Sequence, residues 1–113
     1  MAHASVIGCG NMGSALVKGL SRTSTHEVTA YDVDPDALDR LSEYPVRTTT
    51  DLAEATESPI VVVAVKPDVV GAVLDELDLS PDQTLVSFAA GVPTAFLERR
   101  TEATVVRVMP NLA

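Results

Sequence analysis

The glycines of Gly8-x-Gly10-x-x-Gly13 carry the densest chemical signal in this sequence. The β-type run Ala4-Ser5-Val6-Ile7 precedes them, and a helical pattern from Asn11 to Leu20 follows. Each glycine has a use in such a strand-to-helix turn. Gly8 permits the tight turn, Gly10 lets a diphosphate approach the backbone, and Gly13 lets the helix pack closely on a sheet. The helix start then offers unpaired N–H groups and the positive end of its dipole to an anion. Spaced glycines alone also describe a merely tight turn. Their place inside a strand–helix–strand unit is what points to a dinucleotide, with Cys9, Asn11 and Met12 as the other loop residues.

A second chemical group stands at the expected distance. Asp32 ends the next β-type run, 19 positions after Gly13, close to the ~20 that separate the loop from a ribose-binding acid. A carboxylate there accepts hydrogen bonds from both adenosine ribose hydroxyls and repels a 2′-phosphate. Val33-Asp34-Pro35-Asp36 follows without Arg or Lys, so NADH is favoured over NADPH. Arg40 keeps NADPH open if it folds back. Asp32 also reads as a turn acid, although Asp34 is better placed to cap the helix beginning at Pro35.

The remaining polar residues say less. His3 and His26 read as solvated residues of loops or strand edges, and no His, Cys, Asp and Glu grouping has metal-ligand spacing. Cys9 could be activated by a helix start, but it reads first as a small space-filling side chain. Ser87 carries no nucleophile signature, which argues against a hydrolase.

Positioning these groups requires strands alternating with helices. Strands are expected at Ala4–Ile7, Glu27–Tyr31, Val46–Thr48, Ile60–Val65, Thr84–Phe88 and Thr104–Val108. Between them lie helical patterns, the first with Met12, Ala15, Leu16 and Leu20 on one stripe. Leu38 and Leu41 form the buried side of the second, and Asp51 to Ala55 makes a short third. The fourth opens at Pro67 and carries Val69, Val70, Val73, Leu74 and Leu77; the fifth runs from Pro93 to Arg99. The apolar run beginning at Ile60 is unbroken, as in a parallel strand buried on both faces. Short connections and right-handed crossovers then give an α/β, doubly wound, mostly parallel six-stranded sheet of order 3-2-1-4-5-6.

Composition bounds the partners. The chain has 113 residues, 46% of them apolar, enough for one domain with a real core. Acidic residues number 16 against 8 basic, a net charge of −8. Nucleic acid is therefore a poor partner, because phosphate binding wants a basic stripe. The sequence has neither a membrane-length apolar run nor a signal peptide. With one cysteine and no internal disulfide, a cytoplasmic protein is expected. Lys18 and Lys66 are the only lysines, and the acidic bias is similar to the surfaces of a salt-adapted cytoplasm.

Four segments occur in order: Gly8-Cys9-Gly10-Asn11-Met12-Gly13, Ala64-Val65-Lys66-Pro67, Ser87-Phe88-Ala89-Ala90-Gly91-Val92 and Val106-Arg107-Val108-Met109-Pro110-Asn111. Together they resemble the Δ1-pyrroline-5-carboxylate reductases. The middle two segments are also shared with coenzyme-F420-dependent NADP reductases. The resemblance implies a Rossmann domain that binds NADH or NADPH and passes hydride to the ring C=N of pyrroline-5-carboxylate, giving proline. It further implies a small-molecule substrate, a second, helical domain that builds a homo-oligomer, and an absence of that domain from residues 1–113. Leu112-Ala113 replaces the family's Thr-Pro. The family tends toward NADPH, whereas Asp32 argues for NADH.

Ligands of open α/β sheets sit beyond the carboxyl ends of the strands. Val65, Lys66 and Pro67 are thus expected to line the nucleotide. Ala89, Ala90 and Gly91 would leave room for the cofactor, and Asn111 would reach the nicotinamide or substrate. Lys66 equally reads as an ordinary loop lysine, and the Ala89–Gly91 stretch as a tight turn. No catalytic residue is assigned, since none of the residues is a convincing general acid. The imine proton is expected from a substrate bound as iminium, from water, or from outside this chain. A regulatory nucleotide-binding module and an F420-linked reductase are the alternatives.

Overall fold

A computed structural model describes residues 2–22, 26–89 and 91–108. The run starting at Ile60 becomes β4 (Ile60–Val63), in which Val61, Val62 and Val63 are all buried. Its neighbours are β1 (Ala2–Ile7) and β5 (Thr84–Ser87); β2 (His26–Tyr31), β3 (Arg47–Thr49) and β6 (Thr104–Arg107) complete the sheet. The order is β3-β2-β1-β4-β5-β6, and every pairing is parallel. This is the doubly wound Rossmann arrangement that the alternation of patterns implied.

The helices divide between two faces. Val17 of α1 (Asn11–Ser21) and Ala37 and Leu38 of α2 (Pro35–Asp39) pack with Val6, Val28, Ala30 and Val62. Across the sheet, α3 (Leu52–Ala55), α4 (Pro67–Glu76) and α5 (Thr94–Glu98) contribute Ala55, Val70, Leu74 and Leu97. These meet Ile7, Val61, Val63 and Leu85. Alternate residues of each strand thus feed two cores, which is why the central strands carry no polar face.

Asp34 and Asp51 cap α2 and α3, accepting the N–H groups of Asp36 and Ala53 at 3.0 Å. At the opposite end of the sheet from the glycine loop, Ser5 and Ser58 hydrogen-bond to each other in the core. There Gln83 Nε2 donates to the carbonyls of Thr56 and Ser58 at 2.6 and 2.8 Å. His3 reaches Thr29 Oγ1 at 3.2 Å near the same end.

Three strands stop sooner than their composition suggests. Val65, Phe88 and Val108 fall outside β4, β5 and β6. The ladder closes with single bonds from Ala64 N to Ile7 O, Phe88 N to Val63 O and Val108 N to Ser87 O. Beyond Ala64, β1 has already turned at Gly8, so no strand remains to pair with. β3 sits one residue later than expected. Asp51 caps α3, and Pro93 stands just before α5, rather than belonging to either helix.

The stripe on α1 also differs from expectation. Gly13 and Val17 are buried, Leu16 and Leu20 half-buried, and Ala15 exposed. Backbone proximity sets this orientation. A Cβ on Gly13 would land on the carbonyl oxygen of Gly8 and 2.8 Å from its carbon. The helix must therefore turn its glycine, rather than Met12 and Ala15, toward the sheet. On α4, Val69 is 40% exposed while Val70 is fully buried, so the apolar pattern there covers a cleft as well as the core.

These contacts predict opposite outcomes for two glycines of one helix. Gly13→Ala should cost about 3 kcal/mol or more, because backbone cannot yield as a side chain can. Gly19 has no atom within 4 Å of its built Cβ, so Gly19→Ala should stabilise by roughly 0.5–1 kcal/mol. Urea denaturation of both variants checks the pair.

Candidate functional site

Gly8 adopts φ +97°, a backbone conformation open to glycine but strained for other residues. Its N–H still bonds Tyr31 O at 2.9 Å, and the chain then leaves the sheet. A Cβ at Gly8 would stand 2.8 Å from Val65 Cγ1. Gly10 differs from both neighbours in the motif: a Cβ there meets nothing within 4 Å. Gly10 is the N-cap of α1, no side chain caps that helix, and its first turn carries no acid. The N–H groups of Asn11, Met12 and Gly13 therefore begin α1 without an intrahelical acceptor. Room and donors coincide at Gly10, which fits an anionic group.

Asp32 is held from two sides. One carboxylate oxygen accepts the Cys9 N–H at 2.8 Å and the other the Asp34 N–H at 2.9 Å. The acid thus ties the glycine loop to the end of β2. Each oxygen retains a second acceptor direction, so both remain able to take ribose hydroxyls. Cys9 serves the loop through its backbone, and its N–H is spent on Asp32 rather than offered to a phosphate.

The Cys9 thiol is fully buried and lies 3.4 Å from Tyr31 O. Burial, and secondarily the Asp32 charge, pushes its pKa up to about 11. Ser14, which sequence reasoning missed, clamps the same loop. Its Oγ donates to Cys9 O at 2.7 Å and its N–H to Gly10 O at 2.9 Å. A serine four residues after the central glycine was the available signal.

Two clefts flank the loop. One, about 240 Å3, is lined by Gly10, Asn11, Ser14, Ala15, Lys18 and Arg40. It brings both cations to the side where the free amides lie. Arg40 therefore joins Lys18 near the start of α1; the cleft containing Asp32 is a separate one. That second cleft, about 150 Å3, is a narrow slot with Gly8, Asp32, Val33, Leu52, Val65, Val69 and Val73 among its walls. Its lining is mostly apolar, with the Asp32 carboxylate at its side. Tyr31 and Glu76 also line it. Burial first, then the charges of Glu76, Asp32 and Asp51, raise the Tyr31 pKa, so the phenol stays protonated.

The other expected site residues fall at the same edge of the sheet. Lys66 is exposed and precedes α4 as its N-cap, with Pro67 in the first helical position. Val65 lines the slot. Gly91 has φ +77° and open space around it. Ala89 turns into the core with Leu97 and Val92, so its side chain is not presented to a ligand. Ser87 is buried, and its Oγ accepts the Ala89 N–H at 3.3 Å. Ala90 and Asn111 lie outside the described residues. Among the described residues no group of His, Cys, Asp and Glu could hold a metal ion, and no helix is long and apolar enough to cross a membrane.

Residues 4–91 match the family model described as NADP oxidoreductase, coenzyme F420-dependent. A pyrroline-5-carboxylate reductase of Methanosarcina acetivorans is 38% identical over 116 residues, an alignment covering 95% of this chain and 43% of the relative. The corresponding enzyme of Pseudomonas aeruginosa is 37% identical, with 93% and 41% covered. Among solved structures, a pyrroline-5-carboxylate reductase from Coxiella burnetii superposes with a TM-score of 0.88 at 30% identity. That match covers 98% of this chain and 44% of the other. The chain thus spans less than half the length of these relatives.

The Cys9 environment makes a testable statement about pH. Between the ordinary thiol value of 9.0 and about 11, the folded state keeps a proton that the unfolded state releases. Stability must then fall as pH rises through that window. Wild-type chain should lose more stability than Cys9→Ala between pH 8 and pH 10 in urea titrations. Iodoacetamide should label Cys9 slowly at pH 8 until urea is added; fast stoichiometric labelling of folded protein would contradict the burial.

Proposed function

The chain belongs to the family described as NADP oxidoreductase, coenzyme F420-dependent, and on that premise we propose that it is the dinucleotide-binding part of a reductase. The reaction we assign is reduction of the C=N bond of 1-pyrroline-5-carboxylate to proline, the activity named for its relatives. One observation carries the reading above all. An uncapped helix start faces open space at Gly10, beside an acid already oriented by two backbone amides.

The nicotinamide, when bound, supplies hydride from its C4 to the ring carbon of the imine. The residues of this chain supply position. The amides of Asn11, Met12 and Gly13 hold the diphosphate, with Lys18 and Arg40 adding positive potential. The valine-lined slot takes the adenine, and Asp32 takes the ribose hydroxyls. Pro67 and Gly91 shape the loops after β4 and β5, where the nicotinamide half must pass. Holding donor and acceptor at reacting distance is the main catalytic contribution available to such a site. Proton delivery falls to a substrate bound as iminium, to water, or to groups outside this chain.

NADH is the preferred cofactor in this reading. A 2′-phosphate would meet the Asp32 carboxylate directly, while Arg40 faces the other cleft. The family description favours a second reading, hydride exchange between NADP and coenzyme F420. Saturable binding of reduced F420 together with a preference for NADPH would support it; the acid at position 32 weighs against the latter.

Two variants test the assignment. Gly10→Val should fold, at a cost of about 1 kcal/mol for a poorer N-cap, yet lose NADH binding by at least tenfold in calorimetric titration. Unchanged affinity would remove the diphosphate from this turn. Asp32→Ala should cost roughly 1–3 kcal/mol by orphaning two amides, and it should narrow or reverse the preference for NADH over NADPH. A fixed ratio would reduce Asp32 to a structural acid.

A further inference from the structure

We propose that Glu76 reads the base of the dinucleotide, accepting a hydrogen bond from the exocyclic amine of adenine and rejecting purines with an oxo group there. This rests on the dinucleotide-binding reading above. The slot beside Asp32 is walled by Val33, Leu52, Val69 and Val73, side chains that grip a flat ring without distinguishing one purine from another. Glu76 is the polar exception on the α4 side. Val69, Val73 and Glu76 stand at helical spacing i, i+4 and i+7, so they share one face of α4. At 1.5 Å per residue, Glu76 lies roughly 10 Å along the axis from Val69. That places it at the end of the slot remote from the α4 start and the Val65 loop.

Glu76 is solvent-exposed, and no cation of its own turn competes for its carboxylate. Glu76 is the last residue of α4, where the helix dipole is negative, and no basic residue occupies that turn. Its neighbour Asp75 is answered by Arg100, whose Nη1 lies 2.9 Å from one carboxylate oxygen and 3.0 Å from the other. Among the described residues Glu76 has no such partner. Its charge also reaches Tyr31, where it helps keep the phenol protonated. The adenine amine carries two N–H donors and no acceptor. Hypoxanthine presents an oxygen at that position, and facing a carboxylate it sets acceptor against acceptor. Discrimination follows from one atom.

The test uses the 113-residue chain, titrated with NADH and with reduced nicotinamide hypoxanthine dinucleotide. Wild type should bind NADH about tenfold more tightly, the scale of a hydrogen bond to a charged group. In Glu76→Gln the side-chain amide can donate as well as accept, so the ratio should fall to within about twofold. The same variant, without nucleotide, should melt at a higher temperature than wild type, because it removes a negative charge from the negative end of a helix. Equal wild-type affinities for the two nucleotides overturn the role of Glu76, as does an unchanged ratio in Glu76→Gln. Binding of NADH without preference sinks that role alone. Failure of both nucleotides to bind sinks the dinucleotide reading, and this inference with it.

Discussion

Everything at the carboxyl edge of the sheet follows from how closely the backbone of α1 rests on the turn below it. Gly13 sits against the Gly8 carbonyl with no space for a single methyl group. That contact draws the start of α1 down over the end of β1. It also turns Val17 into the core and leaves the first amides of the helix facing outward from Gly10. A side chain at position 13 would lift the helix, and the donors would no longer converge where a diphosphate could meet them. The geometry of this edge begins with steric absence.

Asp32 then couples the glycine loop to the turn after β2. It spends part of its hydrogen-bonding capacity on the Cys9 and Asp34 amides. The glycine loop and the turn after β2 thereby become one rigid piece. A carboxylate free to rotate would lose conformational entropy on meeting a ribose; this one is already oriented. The same arrangement explains the inert thiol beside it. Cys9 is enclosed by the loop it belongs to, and both burial and the nearby acid disfavour its thiolate.

Much of the fold was legible because each level of the pattern agreed with the next. The apolar run beginning at Ile60 and Asp34 before Pro35 each combine local propensity with a place in the alternation, and the Asp34 capping bond is present. Disagreement appears where a residue's neighbours come from distant sequence. The apolar character of Val65 and Phe88 reads as strand, yet both lie past the point where a neighbouring strand remains to pair. The sequence does not say where the Ala89 side chain goes; the fold turns it into the core cluster that contains Leu97. Ser14 and Glu76 carry no distinctive sequence signal, since serine and glutamate are common on helices. Only the folded chain brings Ser14 to the Cys9 carbonyl and Glu76 to an apolar slot.

What the linear order of residues determined by itself was the sheet order, the strand–glycine–helix turn and the acid 19 positions beyond it. These depend on short-range rules: periodicity, capping, and the absence of side chains where the backbone must bend. What tertiary structure alone decided was direction. It turned Gly13 rather than Met12 toward the sheet, sent Arg40 to the cleft with Lys18, and paired Asp75 with Arg100 while Glu76 lines the slot. Those outcomes rest on contacts between helices and strands far apart in sequence, and no local preference encodes them.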